Sequence, residues 1–394
     1  MLKYSLELYL AFLVRKKENN AVEKKSCKIV TFHTPINYGA VLQATALFSY
    51  TSRYFESASI IDYDTKQLRK KYPLFRKSKG IAGFFWFAYD FCNLPFKLIK
   101  KAKFKSFLKK HCQFTKKYKT FYEIKESFFD SDYLITGSDQ VFRPNRDFEE
   151  RNVFYLDLKT NAKKISYAAS FGGIDIEKNN EEEISGYLAS FSHISVREKS
   201  GLDSLNKIGF KGEVVLDPVF LMSDSEWENM IQKKAKKNSD YILYYALIDN
   251  PVYHKYVECI SLKLKKKVIV IGNLNFKPFR KCRYYKTCGP NSFLYLFKHA
   301  RYVFTSSFHG VAFSLIFKKQ FFSIEEDPVL KNRANDLMEK LGIPYLEFFE
   351  ILEKCKSGTL DYIDYKLVSC KLTDEIMKSK AFLNRALEVN ENGK

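Results

Sequence analysis

The stretch TSSFHGVAFS (305–314) sets a lone histidine, His309, among Ser306, Ser307 and Gly310. RYVF (301–304) before it is short and apolar, as a buried strand would be, while Val311, Ala312, Leu315 and Ile316 after it recur at helical spacing. His309 therefore falls in the first turn of a helix, where unpaired backbone N–H groups and the helix dipole favour an anion. A lone histidine is more often a core residue bonded to a carbonyl. The small hydroxyl neighbours at a helix start tilt this one towards an anion site.

Other strand-end loops carry complementary chemistry. Arg197, in SVRE, suits two-pronged binding of a phosphate or carboxylate, or equally a surface pair with Glu198. Arg333, in KNRANDLMEKLGI, has the same two readings. In GSDQ (137–140), Ser138 precedes Asp139, a carboxylate at a strand end where a general base would serve, although taken alone it fits a helix or turn cap better. Asn37, Tyr38 and Gly39 join a strand to a helix. Gly39 would admit a ligand close to the backbone there, but an ordinary turn fits this loop equally well.

Several chemistries are excluded. No GxGxxG and no GxSxG is present, which removes the dinucleotide and nucleophilic-serine readings. The eight cysteines form no CxxC pair, and no second histidine or carboxylate stands at ligand spacing from His309, so no catalytic metal is predicted. The cysteines read as reduced thiols of a cytoplasmic protein.

The elements that must position these residues alternate strand and helix. CKIVTF (27–32), ASIIDYD (58–64), YLITGSDQVF (133–142), KKISYAASFGG (163–173), HISVRE (193–198) and GEVVLDPVFL (212–221) read as strands of a first half. YILYYAL (241–247), KVIVIGN (267–273), RYVF (301–304) and QFFSIEE (320–326) read as strands of a second. This pattern predicts an α/β protein of two Rossmann-like domains with parallel sheets facing a cleft. Every candidate loop then lies at a strand's carboxyl end, where such sheets bind ligands. The boundaries are an N-terminal extension over 1–25, a first domain over 26–222, a polar Lys-rich linker over 223–239, a second domain over 240–330 and a helical region over 331–394. Residues 5–14 are apolar but lack a cleavage site and are too short to span a bilayer, so the extension reads as a surface helix or a product of start-codon choice.

Of the chain's net charge of +21, +16 lies between residues 66 and 119, where only Asp90 opposes the basic residues. At the centre of that segment is GIAGFFWFAYDFCNLPF (80–96). We read 66–119 as a basic-aromatic helical insertion into the first domain. It suits an in-plane element on an anionic membrane surface and, equally, a helix packed on the body with a solvated lysine face. Nucleic acid is disfavoured because the aromatics form one block instead of interleaving with the lysines.

As an ordered set, INYGAVLQATAL, YLITGSDQVFRP, ISYAASFGG, ISVREKSG, VVLDPVFL, GPNSFLYLFKHARYVFTSSFHGVAFS and NRANDLMEKLGI resemble the polysaccharide pyruvyl transferase family over roughly residues 27–350. The resemblance implies a GT-B-like fold and transfer of pyruvate from phosphoenolpyruvate, the co-substrate, onto two hydroxyls of a sugar as a ketal, with no cofactor. It implies a polysaccharide or lipid-linked oligosaccharide acceptor and work in the cytoplasm, peripheral to the inner face of the plasma membrane. His309 matches the family histidine that contacts the donor, and Arg197 an arginine on its charged end. Ser306, Ser307, Gly310 and Arg333 complete the expected donor site. Asp139 is the expected base, and Asn37, Tyr38, Gly39 and Ser138 the expected acceptor side. The chain departs from the pattern at Ser307, where many members carry arginine, and Arg333 is the candidate substitute. The competing expectations are a glycosyltransferase of the same fold using a nucleotide sugar, and a binding module for membrane or nucleic acid.

Overall fold

The computed structural model describes residues 25–389 apart from 35, 66–67, 69–74, 76–79, 146, 232–239, 248, 273, 275 and 325–327. The extension over 1–24 and much of 66–79 therefore lie outside the described residues. The first domain runs β1 (Ser26–Val30), α1 (Tyr38–Thr51), β2 (Ser57–Tyr63), α2 (Gly80–His111), β3 (Phe114–Tyr118) and α3 (Phe121–Lys125). It continues β4 (Tyr133–Thr136), α4 (Phe148–Phe154), β5 (Lys163–Ala169), α5 (Lys178–Leu188), β6 (Phe191–Val196), α6 (Lys199–Lys207) and β7 (Glu213–Val214). A 3-10 turn over Pro218–Leu221 and α7 (Asp224–Asn229) lead to the second domain. That domain comprises β8 (Tyr241–Ala246), α8 (Pro251–Leu264), β9 (Lys267–Gly272), β10 (Cys282–Tyr284), α9 (Pro290–His299), β11 (Tyr302–Thr305), α10 (Phe308–Ile316) and β12 (Gln320–Ser323). Three helices close the described residues, α11 (Pro328–Leu341), α12 (Phe348–Ser357) and α13 (Tyr365–Ala386).

The seven strands of the first sheet are ordered β3-β2-β1-β4-β5-β6-β7 and the five of the second β10-β9-β8-β11-β12. All pairings are parallel. Each order reverses once, at β1/β4 and at β8/β11, and the crevice outside such a reversal is where doubly wound sheets bind ligands. The central strands are buried along their whole length, as in YLIT of β4 and YILYYA of β8. A strand covered by helices on both faces must be apolar throughout.

Three features differ from the sequence reading. The segment 66–119 is not wholly an insertion: β3 is an edge strand of the first sheet, and Phe104, Phe107 and Leu108 of α2 lie in the main core. GEVVLDPVFL makes only a two-residue strand, because Pro218 lacks an N–H for the ladder and starts the 3-10 turn. The linker begins with α7, fastened by a Ser223–Glu226 capping box and the fully buried Trp227. The C-terminal region returns to the first domain. Tyr50 donates to Asn384 Oδ1 at 2.9 Å, the Leu216 N–H donates to Ser379 Oγ at 2.9 Å, and Phe382 packs on Tyr167.

The inner half of α2 ties the domains together. Lys100 donates to the Gly272 carbonyl at 3.1 Å with its ammonium over the Tyr38 ring, and Lys103 donates to the Thr287 carbonyl at 2.9 Å. Burial pushes the Lys100 ammonium down to about 8, against a smaller upward pull from Cys288. A lysine depressed in the fold costs stability while it is charged in both states, and the cost relaxes as pH rises past its folded value. Lys100→Met is thus expected to compare most favourably with wild type at pH 7. Its relative stability in urea unfolding should fall by about 2 kcal/mol by pH 10.

Candidate functional site

Asp217, just beyond β7, is the centre of the cleft. Its carboxylate is fully buried and receives the Arg197 Nη1 donor at 3.0 Å, the Ser138 hydroxyl at 3.2 Å and the Val219 N–H at 3.2 Å. His309 Nε2 stands 3.6 Å from the same carboxylate, close enough for charge attraction and too long for a hydrogen bond. Burial opposes the negative charge, but His309, Arg197 and the Val219 amide outweigh it and hold the carboxyl down at about 2.

Arg197 leaves the end of β6. Burial works against its charge, yet Glu198, Asp217 and Asp139 around it favour the guanidinium more strongly and raise its pKa. Its Nε reaches Glu198 at 3.4 Å, Glu198 is held by the Ser170 hydroxyl, and the Phe308 ring lies 4.9 Å from the guanidinium carbon. With two carboxylates and an aromatic face fixing the plane, Arg197 Nη2 is buried without a hydrogen-bond partner. His309 Nε2 is the same. Buried polar groups are ordinarily satisfied, so two orphans beside one carboxylate mark a place where the polar atoms of a ligand belong.

His309 comes from the other domain, on the first turn of α10, and its orientation depends on a glycine. A Cβ on Gly39 would fall 2.2 Å from His309 Nδ1, so the strand–helix turn of the first domain packs directly on the imidazole ring. Gly310 likewise lets α10 close on Thr305, whose Oγ1 would lie 2.1 Å from an added Cβ. Ser307 caps α10 with its backbone, its N–H donating to Thr305 Oγ1 at 3.1 Å, and Ser306 Oγ receives the Leu247 N–H at 3.3 Å.

A pocket of about 350 Å³ opens beside this cluster, lined among others by Arg197, Asp217, Phe308, Arg333, Asp336 and Lys340. Arg333 thus shares a pocket with Arg197 although 136 positions separate them in sequence. A smaller pocket of about 120 Å³ on its other side is lined by Arg333, Asp336 and Asp175.

The residues expected on an acceptor side separate. Tyr38 is buried at the domain boundary, its hydroxyl donating to the Cys288 carbonyl at 2.8 Å and its ring stacked on Phe293. Ser138 is fully buried, donating to the Ala168 carbonyl at 2.8 Å behind Asp217. Neither side chain is placed to meet a sugar. Asn37 caps α1 by accepting the Gly39 N–H at 2.9 Å and remains partly exposed. Asp139 is half-buried at a left-handed φ of 68°, a conformation Asp tolerates, and accepts the Gln140 N–H at 2.9 Å.

Sequence reasoning missed Asp217 and Phe308. For Asp217 the available signal was Asp-Pro shortly after a strand, where Pro218 turns the chain at the sheet's carboxyl edge and Asp217 caps that turn.

The polysaccharide pyruvyl transferase family model matches residues 37–328, well over half the chain and including every residue of the Asp217 cluster. The chain belongs to the polysaccharide pyruvyl transferase family. No curated protein matches it in sequence. Among solved structures, a UDP-N-acetylglucosamine 2-epimerase is similar at a TM-score of 0.52 and 11% identity, over 92% of this chain and 95% of that one. A putative UDP-N-acetylglucosamine 2-epimerase from Listeria monocytogenes is similar at a TM-score of 0.50 and 9% identity, over 93% and 98%. These likenesses show the fold alone: this pyruvyl transferase family member has the two-domain, Rossmann-like GT-B architecture.

Removing the buried charge leaves Arg197 and His309 facing each other without it. Asp217→Asn is expected to lose about 3 kcal/mol of stability in urea unfolding at pH 7. Because the native carboxyl lies below its ordinary 3.8, that contribution is complete above about pH 4 and fades as pH falls through 2, so the gap should close on acidification. Gly39→Ala should displace the His309 ring and cost about 1–3 kcal/mol by overpacking, read in the same unfolding assay.

Proposed function

We propose that the protein transfers the pyruvyl group of phosphoenolpyruvate onto two hydroxyls of a sugar in a polysaccharide or lipid-linked precursor, closing a ketal. The observation that carries this reading is the pair of buried nitrogens without partners, Arg197 Nη2 and His309 Nε2, beside one carboxylate and a pocket that also holds Arg333. A small, strongly anionic donor supplies the acceptor oxygens that these groups lack.

Arg197 is already opposed by Glu198 and Asp217, so its value to a ligand is direction more than net charge. Across the pocket stand Arg333 and Lys340, the latter paired with Glu375 at 2.9 Å, with Asp336 and Glu339 between them. Arg333 takes the part that arginine at position 307 plays in relatives, reaching the site from α11 instead of from the start of α10. His309 serves as acid or phosphate partner, with Asp217 stabilising its imidazolium.

The reaction begins when a proton adds to the methylene carbon of the donor, leaving an oxocarbenium ion at the neighbouring carbon. A sugar hydroxyl attacks there and loses its proton to a base, for which Asp139 is the candidate. The C–O bond to phosphate breaks, with phosphate leaving under cationic support. The second hydroxyl then adds and loses its proton, closing the ketal ring. Asn37 is the remaining candidate for the acceptor side.

Thermal unfolding with phosphoenolpyruvate, inorganic phosphate and UDP-sugars tests this. Phosphoenolpyruvate at 100 times its Kd should add about 2.7 kcal/mol. His309→Ala should abolish the shift, and Arg333→Ala should weaken binding about 10- to 100-fold. A shift with a UDP-sugar and none with phosphoenolpyruvate would overturn the proposal.

A further inference from the structure

The outer half of α2 is built inside out. On a water-facing helix the polar stripe faces solvent, yet here Phe84, Phe85 and Phe91 are 72%, 68% and 62% exposed while Asp90 is fully buried, paired with Lys97 at 2.7 Å. Phe84, Phe87, Phe91 and Leu98 recur at spacings of three, four and seven, which places them on one outward stripe that Lys105 and Lys109 continue.

The second domain extends the same face. Phe276, 57% exposed, packs against Tyr89 at 4.9 Å and Trp86 at 6.0 Å. Its loop brings Lys277, Arg280, Lys281 and Arg283, all exposed, with no acidic residue between 274 and 288. Residues 80–111 and 276–286 together hold twelve Lys and Arg against the single buried Asp90, a net charge of +11.

We propose that α2 and the 276–286 loop form a docking face that seats the protein on an anionic lipid bilayer, with the phenylalanines in the headgroup–acyl boundary and the basic residues against lipid phosphates. Charge and apolarity select this occupant jointly. Nucleic acid offers phosphates but nothing to bury the exposed rings. A second copy of the chain offers rings but sets +11 against +11. An anionic bilayer supplies both environments at one surface. No described helix is long and apolar enough to cross a membrane, so the contact is in-plane.

The inner half of the same helix is locked into the domain boundary through Lys100 and Lys103. Docking would therefore fix the orientation of the cleft relative to the bilayer, whatever chemistry the cleft performs.

Co-sedimentation of the full chain tests the proposal, with phosphatidylcholine vesicles compared with vesicles containing about one third phosphatidylglycerol. The protein should bind the anionic vesicles at least about tenfold more tightly, with the preference lost in high salt. Phe84→Ser/Phe87→Ser/Phe91→Ser and, separately, Lys277→Glu/Arg280→Glu/Lys281→Glu should each weaken binding at least about tenfold. Both variants should keep the wild-type circular dichroism spectrum and melt within a few degrees of wild type, since the altered side chains lie outside the core and are more than half exposed or on the surface loop. Absence of binding to anionic vesicles would overturn the proposal, as would binding indifferent to both variants. Tight RNA binding that displaces the vesicles, or a stable dimer dispersed by the phenylalanine variant, would assign the face to another occupant and overturn it equally. Binding through this face with no phosphoenolpyruvate shift would leave the docking proposal standing and remove only the proposed reaction.

Discussion

A carboxylate taken fully out of water must be surrounded by cations and N–H groups, and Asp217 finds them in both domains. Arg197, Ser138 and Val219 come from its own domain and His309 from the other, so the need to neutralise one buried charge constrains how the two Rossmann-like units meet. The constraint propagates outward. Glu198 fixes the far edge of the guanidinium, Ser170 fixes Glu198, and Gly39 leaves room for the imidazole that completes the set. What these groups cannot do for one another is satisfy the last donors of Arg197 and His309. The cluster thus holds these two atoms in place for a ligand that supplies their missing partners.

The other structural commitment is α2, one helix with opposite relations to solvent along its length. From Lys100 to Leu108 it is part of the interior, bonding to carbonyls of the second domain and packing under α1. From Phe84 to Leu98 it holds its apolar stripe outward and its single acid inward. The inner half fixes where the outer half leaves the core, and Pro95, which donates no N–H to the helix ladder, lies between the two. Since α1 begins at the turn that packs on His309, the inner half of α2 and the cleft are braced by the same helix.

Much of this was legible in the sequence. Buried parallel strands must be continuous apolar runs, and YLIT, YILYYA and RYVF announce themselves as such. Loops at the carboxyl ends of those strands must hold the chemistry, and His309, Arg197 and Asp139 all lie there. The ordered motifs carried the family. Less legible were features with no periodic signal. β7 and β10 are two and three residues long, and β3 is polar because it is an edge strand with a solvated face.

What the sequence by itself determined is local: where strands and helices alternate, and which residue types stand in the loops between them. Only the tertiary structure decided which ends converge. Nothing in VVLDPVFL says that Asp217 would be the buried centre, because burial of a charge depends on partners 20 and 92 residues away. Nothing in NRANDL says that Arg333 shares a pocket with Arg197. Tyr38 and Ser138 look in sequence like exposed loop residues beside a ligand. Packing turned both inward, since a tyrosine ring between two domains and a hydroxyl behind a carboxylate are more stable there than in water. Side-chain type and spacing are properties of the chain, whereas solvation, and with it charge, pKa and reach, belongs to the folded assembly of its parts.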